Sequence, residues 1–464
     1  MRFTKFGKTL LIGALSAGVV FGVTSCVESY TVGFLYVTGT VTAQSGNNGI
    51  ISGYKIDHNT GKLAPINGLP VPSGGSNPVR AVLVTGSRFV YVLNRGVNKE
   101  GNGDCTPSDP CLDSNITQFA VGGNGVLTYQ ETFSTEGANP FRLIGDSSGN
   151  YLLALDHDAP SSAACQAALG NSVTTCGDIT VFQINQTTGR LSVVQNAAVT
   201  QANCSLGALF PCPLTYFPIP ANPVDFVLSG SSFLLTLSGS TAPTSYPYTG
   251  GSSVWPYSYA SSSGQLTLSS NSTQPLGINE GTAIVNASSN IYILDNEPIT
   301  VPTCAAPPCS YTAGTYPSQI LPFSVGSGGN LSALTGGIIP DASTLSNPIY
   351  LLITSKNYMY VANQGNNVTG TNNPNSGIAA YLITSSPAYQ TSFVAGQPFG
   401  SGSGPQCIVE DPSNQFIYEA NEYDSSISGR VLDPNSGELD NMRVTSSYTL
   451  QGPATWCFVD GRTG

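Results

Sequence analysis

Phe89-Val90-Tyr91-Val92-Leu93-Asn94, preceded by Asn77-Pro78-Val79-Arg80-Ala81-Val82, is the stretch on which the reading of this chain turns. Apolar runs of the same shape return as Phe34-Leu35-Tyr36-Val37, Tyr151-Leu152-Leu153-Ala154, Phe233-Leu234-Leu235-Thr236, Ile291-Tyr292-Ile293-Leu294, Tyr358-Met359-Tyr360-Val361 and Phe416-Ile417-Tyr418-Glu419. Each unit is too small to bury its own apolar face. Seven of them must therefore share faces in a radial or stacked array.

Two further landmarks accompany each run, which we name strand B. A Gly-x-Leu turn (Gly61-Lys62-Leu63, Gly125-Val126-Leu127, Gly189-Arg190-Leu191, Gly264-Gln265-Leu266, Gly329-Asn330-Leu331, Gly437-Glu438-Leu439) joins two later strands, C and D; the unit from 358 has Ser385-Ser386-Pro387 instead. Glycine supplies the positive φ of a tight hairpin, and Leu opens the next strand on its buried side. Asn-Pro or Gly-Pro then opens an apolar strand A, where proline forfeits no ladder hydrogen bond. Four antiparallel strands in each of seven units predict an all-β, seven-bladed β-propeller over residues 34–464. The chain enters at a strand B and ends in a strand A, Ala454 to Asp460, so the last strand is expected to complete the first blade and leave no open edge. Strand direction alternates, which puts the long insertions on one face and the tight turns on the other, plain face. Long loops on one face of a rigid scaffold are where binding resides.

Charged residues make up 9% of the chain, and long helical periodicities are missing. Residues 1–25 stand apart. Arg2, Lys5 and Lys8 precede an apolar run from Leu10 to Val23, and Val23-Thr24-Ser25-Cys26 follows, the order of an export signal with a lipobox-like end. Cys26 is the expected acylation site and residues 26–33 a tether, which places the protein at the bacterial cell envelope, on the periplasmic side of a membrane or the cell surface. Removing the signal takes away three cations and no acid, so the net charge moves from −11 to −14. Such acidity argues against nucleic acid and against an electrostatic grip on anionic lipid; a monomer is expected.

Ten cysteines remain beyond Cys26, an even number that favours disulfides in an exported chain. The local pairs are Cys105–Cys111, Cys165–Cys176, Cys204–Cys212 and Cys304–Cys309. Cys407 and Cys457 fall at nearly corresponding places on successive A strands, and their pairing would staple the closing joint. No Cys-x2-Cys knuckle is present for zinc.

Tyr36-Val37-Thr38-Gly39 and Tyr360-Val361-Ala362-Asn363, with the Gly-x-Leu turns and Asn-Pro openings, resemble the lactonase-type seven-bladed β-propellers, a family that includes bacterial 6-phosphogluconolactonase and the YVTN-repeat surface proteins. The resemblance spans residues 34–464. It implies polar and cationic side chains projecting from the inner strands into a central channel, where this sequence has Arg80, Arg142, Asp225, Thr282, Tyr350, Cys407 and Trp456. Fold alone does not carry activity.

His157, in Asp156-His157-Asp158 at the end of a B strand, is the candidate general base oriented by Asp158, with Arg80 and Arg142 for a lactone oxyanion; the plainer reading is a loop histidine with acidic neighbours. His58 lies in a solvated turn. Asn94, Asp156, Asp295 and Glu422, with Asp424, Asn363 and Asn421, gather at the same mouth. They suit a ligand and, as oxygen donors, Ca2+ or Mg2+, although no dense Asp-rich loop is present and no cofactor is required. Tyr246 and Tyr248 are the aromatic candidates for stacking on a ligand, whereas Trp255, Tyr257 and Tyr259 alternate as one face of a strand C and read as core. Two functions stay open: a non-catalytic envelope lipoprotein binding a glycan, peptide or protein, and a lactonase acting on a sugar lactone.

Overall fold

The computed structural model describes residues 30–461, except 42–47, 85, 87, 101–104, 107, 202–211, 240–250, 270–272, 279, 288, 297–299, 303–310, 314–317, 343, 366–374 and 386–388. Cys26, Cys204, Tyr246, Tyr248, Cys304 and Cys309 lie outside the described residues.

Among the described residues seven antiparallel sheets of four or five strands form the blades, each with its A strand innermost and strands B, C and D following outward, and two small two-stranded sheets lie apart from them. The chain is a seven-bladed β-propeller. Its first blade is completed by the last strand, Ala454–Asp460, which pairs with Thr31–Val41 through Leu35 opposite Val459 and Val37 opposite Cys457. Burial explains why single sheets cannot stand alone. Seven apolar clusters occupy the seven junctions, and each draws its residues from two neighbouring blades. Tyr257 and Tyr259 sit in one of these with Trp255 against it, as expected from their alternation.

Three repeated devices shape the units. The first is a β-bulge at the entrance of every inner strand, between Pro78 and Arg80 in the second blade and at the matching place in the other six. The extra residue turns two consecutive side chains toward the channel. It also corrects one expected position: Ala283, not Thr282, is in register with Arg80, and Thr282 reaches the channel as the bulged residue. The second device is the asparagine before proline. Asn77, Asn139, Asn222 and Asn347 all adopt φ between 52° and 58°, a left-handed conformation that asparagine tolerates better than bulkier residues.

The third device locks blade to blade. The glycine of each Gly-x-Leu turn lies against the first aromatic of the preceding blade's B strand: Gly125 on Phe34, Gly189 on Phe89, Gly264 on Tyr151, Gly329 on Phe233, Gly437 on Tyr358 and Gly61 on Phe416. A side chain on any of these glycines would collide with the neighbouring blade or crowd it, and the positive φ would be strained besides. Two residues further along strand B, Tyr36, Tyr91, Tyr360 and Tyr418 donate their hydroxyls to the carbonyls of Gly125, Gly189, Gly437 and Gly61.

Cys105–Cys111, Cys165–Cys176 and Cys407–Cys457 are disulfides with Cα separations of 5.2, 5.8 and 5.9 Å; Cys212 is also disulfide-bonded. The third joins the inner strands of the seventh and first blades. Among the described residues an α-helix, Ser162–Leu169, departs from the all-β expectation. It lies inside the 157–177 insertion, where Ser161 caps the N-terminus by accepting from the Ala164 amide and an alanine-rich run follows.

Candidate functional site

The inner strands enclose a channel divided at mid-depth. Arg80 stacks on Trp456, its guanidinium carbon 3.5 Å from the ring centroid, with the Tyr350 ring 5.8 Å away on another side. Arg142 Nε donates to Asp225 Oδ1 at 3.2 Å, and Asp225 Oδ2 accepts from the Ile284 amide at 3.0 Å. This layer floors a cavity of about 460 Å³ at the decorated face and roofs one of about 330 Å³ at the plain face. Arg80, Arg142 and Trp456 line both.

Two guanidiniums here share one carboxylate. The Arg80 guanidinium makes no hydrogen bond with any described residue, although only 9% of Arg80 is exposed. Burial, then the like charge of Arg142, pull its pKa down to about 10, with Asp225 opposing. Arg80 is still protonated at neutral pH. The floor thus carries a net positive charge with unused donors, inside a protein of net charge −11.

Above this floor runs a belt of amides spanning three blades. Asn296 Nδ2 donates to Asn347 Oδ1 (3.2 Å), Asn347 Nδ2 to Gln364 Oε1 (2.7 Å) and Gln364 Nε2 to Glu422 Oε2 (2.9 Å). Gln406 Nε2 donates to the same Glu422 oxygen. All five side chains line the upper cavity, and chained hydrogen bonds of this kind reinforce one another. Burial raises the Glu422 pKa; the two glutamine donors only partly offset it. A carboxylate of raised basicity above two guanidiniums can accept a proton near a bound electrophile.

The structure brings together Arg80, Arg142 and Glu422, and the other expected residues stand apart. His157 Nδ1 is 3.0 Å from Asp158 Oδ1, so the expected orienting contact exists. The His157 ring, however, packs at 6.4 Å from Phe141 and lines neither half of the channel. Asp158 also accepts from Asn139 Nδ2. Asn94 is fully buried, and its amide donates to Ser73, Asn115 and Thr117 within the protein. Asp295 accepts from Gln319 and is 3% exposed. Among the described residues no cluster of three or more His, Cys, Asp or Glu is placed to hold a metal ion.

Asp156 pairs across the ladder with Asp178, both at zero exposure. Thr135 and Thr180 donate to Asp156, while no described residue other than Asp156 itself is placed to share a proton with Asp178. Two carboxylates face to face in this setting do not both ionise. Burial pushes Asp156 up to about 7 and, with the charge of Asp156 added, raises Asp178 strongly.

Sequence reasoning missed Asn296, Asn347, Gln364 and Gln406. A signal existed. Arg95, His157, Asn296, Gln364 and Glu422 all directly follow the residue paired with the position just before the inner-strand bulge, so the place that singled out His157 also marks the belt.

Fold and site together define a lactonase-like seven-bladed propeller with a cationic channel floor under an amide-lined mouth. The family model for "Lactonase, 7-bladed beta-propeller" matches residues 47–206. Among solved structures, the chain is similar to a periplasmic gluconolactonase of Pseudomonas aeruginosa, with 17% identity, 92% of this chain and 99% of that one covered, and a TM-score of 0.59. It is likewise similar to a candidate 6-phosphogluconolactonase of Bacteroides uniformis, at 14% identity, 92% and 99% coverage and a TM-score of 0.59. A protein from Lactobacillus plantarum follows at 13% identity, with 92% and 99% covered and a TM-score of 0.58. At these identities the likeness is one of fold. No curated protein matches the chain.

Proposed function

We propose that the decorated-face cavity binds a compact, hydroxyl-rich sugar acid as its anion, or the neutral sugar lactone that yields it. The observation that carries this is the Arg80 guanidinium, buried beside Arg142 and without a hydrogen-bonding partner among the described residues. A carboxylate supplies the acceptors it lacks, and the amides of Asn296, Asn347, Gln364 and Gln406 match hydroxyl groups above. The gluconolactonase among the structural neighbours supports the same ligand class. In this reading the protein works at the cell envelope, held by an acyl group on Cys26.

A second reading, lactone hydrolysis, is favoured by Glu422. Its carboxylate takes a proton from water as the oxygen attacks the lactone carbonyl; Arg80 and Arg142 stabilise the oxyanion; the ring C–O bond then breaks and the ring oxygen recovers the proton from Glu422. Calorimetric titration with gluconate tests binding, and turnover of gluconolactone tests hydrolysis. Gluconate binding that is lost in Arg80→Met and Arg142→Met supports the site. Affinity unchanged in both variants rules it out.

A further inference from the structure

The plain-face half of the channel, about 330 Å³, has no role in binding a sugar acid above it and is built differently. The two cavities share Arg80, Arg142 and Trp456, whereas Asp225 and Tyr350 line only the lower one. Two residues beyond Arg80, Arg142, Asp225 and Ala283 on their inner strands come Val82, Ile144, Val227 and Val285, and strand alternation returns these to the same side. All four are half-buried aliphatics on the cavity wall. The upper wall carries four amides; among the described residues the lower wall has Asn286 alone.

Two hydrogen-bond donors at the roof of this lower cavity lack a partner. The Arg80 guanidinium hydrogen-bonds to no described residue, and neither does the Tyr350 hydroxyl. Neither is sealed inside the protein as the Tyr257 hydroxyl is. The Arg80 guanidinium carbon lies 5.8 Å from the Tyr350 ring centroid, so the two border one space. The nearby acceptor is already taken: Asp225 Oδ1 accepts from Arg142 Nε and the Phe226 amide, and Oδ2 from the Ile284 amide. A cation and a hydroxyl without an acceptor, over aliphatic walls, match an anionic head on an apolar body.

We propose that the plain-face cavity is a second binding site, for a compact aromatic or medium-chain aliphatic monocarboxylate. Its carboxylate accepts from the Arg80 guanidinium and the Tyr350 hydroxyl, and its apolar part lies against Val82, Ile144, Val227 and Val285. A sugar acid placed there would leave hydroxyl groups unpaired against those side chains, so the two halves of the channel select different ligands. The volume lies at the lower end of the range for small-molecule sites. The proposal stands without the sugar-acid site, because the walls that discriminate are separate.

Calorimetric titration with benzoate and octanoate tests it, with acetate as the control for the apolar body and benzyl alcohol for the charge. At least one of the two acids is expected to bind the wild-type protein, and both controls to bind roughly tenfold more weakly or worse. Val227→Phe fills the lower cavity without adding charge, and is expected to weaken the acid by roughly tenfold or more. Tyr350→Phe, which keeps the ring and removes the donor, is expected to weaken it by about tenfold. Should Val227→Phe misfold, Val285→Phe on the next blade makes the same test. Binding of neither acid, equal binding of the controls, or undiminished binding by folded Val227→Phe and Tyr350→Phe overturns the site. Gluconate titrated into wild type and Val227→Phe reports on the upper cavity, so either site can fail without the other.

Discussion

Tyr418 donates its hydroxyl to the carbonyl of Gly61 at 2.6 Å, across 357 residues of chain. This bond joins the seventh blade to the first, so a single phenol helps to close the ring. Tyr418→Phe leaves a buried carbonyl unpaired and is expected to lower stability by about 1–3 kcal/mol in urea titrations. Tyr292→Phe is expected to lower it by clearly less, because Tyr292 donates to no turn carbonyl among the described residues.

The Cys407–Cys457 disulfide spans a sequence separation of 50 and ties the same joint. Replacing both cysteines by alanine is expected to lower stability by about 2–4 kcal/mol, the range for closed loops of this size. Removing Cys105–Cys111, with a separation of only 6, should be milder. Parallel denaturant titrations of the two double variants decide this.

Asp156 and Asp178 titrate higher in the folded protein than in the unfolded chain, where an aspartate sits near ~3.9. Folding therefore retains a proton between these limits. The dyad's stabilisation is full below the unfolded pKa and is lost as pH rises through about 7. Melting temperature is expected to fall from pH 5 to pH 8 in the wild type. Asp178→Asn, which removes one charge, should flatten that slope, and an unaltered slope refutes the assignment.

Arg142→Met removes the partner of Asp225, a carboxylate whose side chain is only 8% exposed. Both stability and gluconate affinity should drop, and the additional change Asp225→Asn should restore stability but not affinity. Denaturation and calorimetry on the single and double variants separate the two effects.

Glu422 must be ionised to act as a base, and burial raises its pKa. Any gluconolactone turnover should therefore rise with pH along a limb whose midpoint lies above the ~4.3 of an ordinary glutamate. Glu422→Gln should erase that limb and slow turnover by roughly 10²–10⁴-fold. Initial rates against pH in both proteins, corrected for spontaneous opening of the lactone, provide the check.

The repeat was legible because it is local. Each Tyr-containing run, Gly-x-Leu turn and Asn-Pro opening announces itself within a dozen residues, and closure by Ala454–Asp460 follows from which strand comes first and which last. Arg80, Arg142 and Glu422 were legible too, as polar residues at inner-strand or strand-end positions. The charge excess was not, since it depends on Arg142 choosing Asp225 from another blade and leaving Arg80 to stack on Trp456. The amide belt was equally hidden. Asn296, Asn347, Gln364 and Glu422 come from three blades and mean little until the ring aligns them.

The sequence by itself determined the number of blades, the strand order and the identity of the decorated face, because period, turn chemistry and strand direction are properties of contiguous residues. Only the tertiary structure decided which side chains meet in the channel, that Asp156 faces Asp178, and that Arg80 is left to stack on Trp456. Those outcomes rest on distances between residues far apart in the chain, and such distances are set by how neighbouring blades pack.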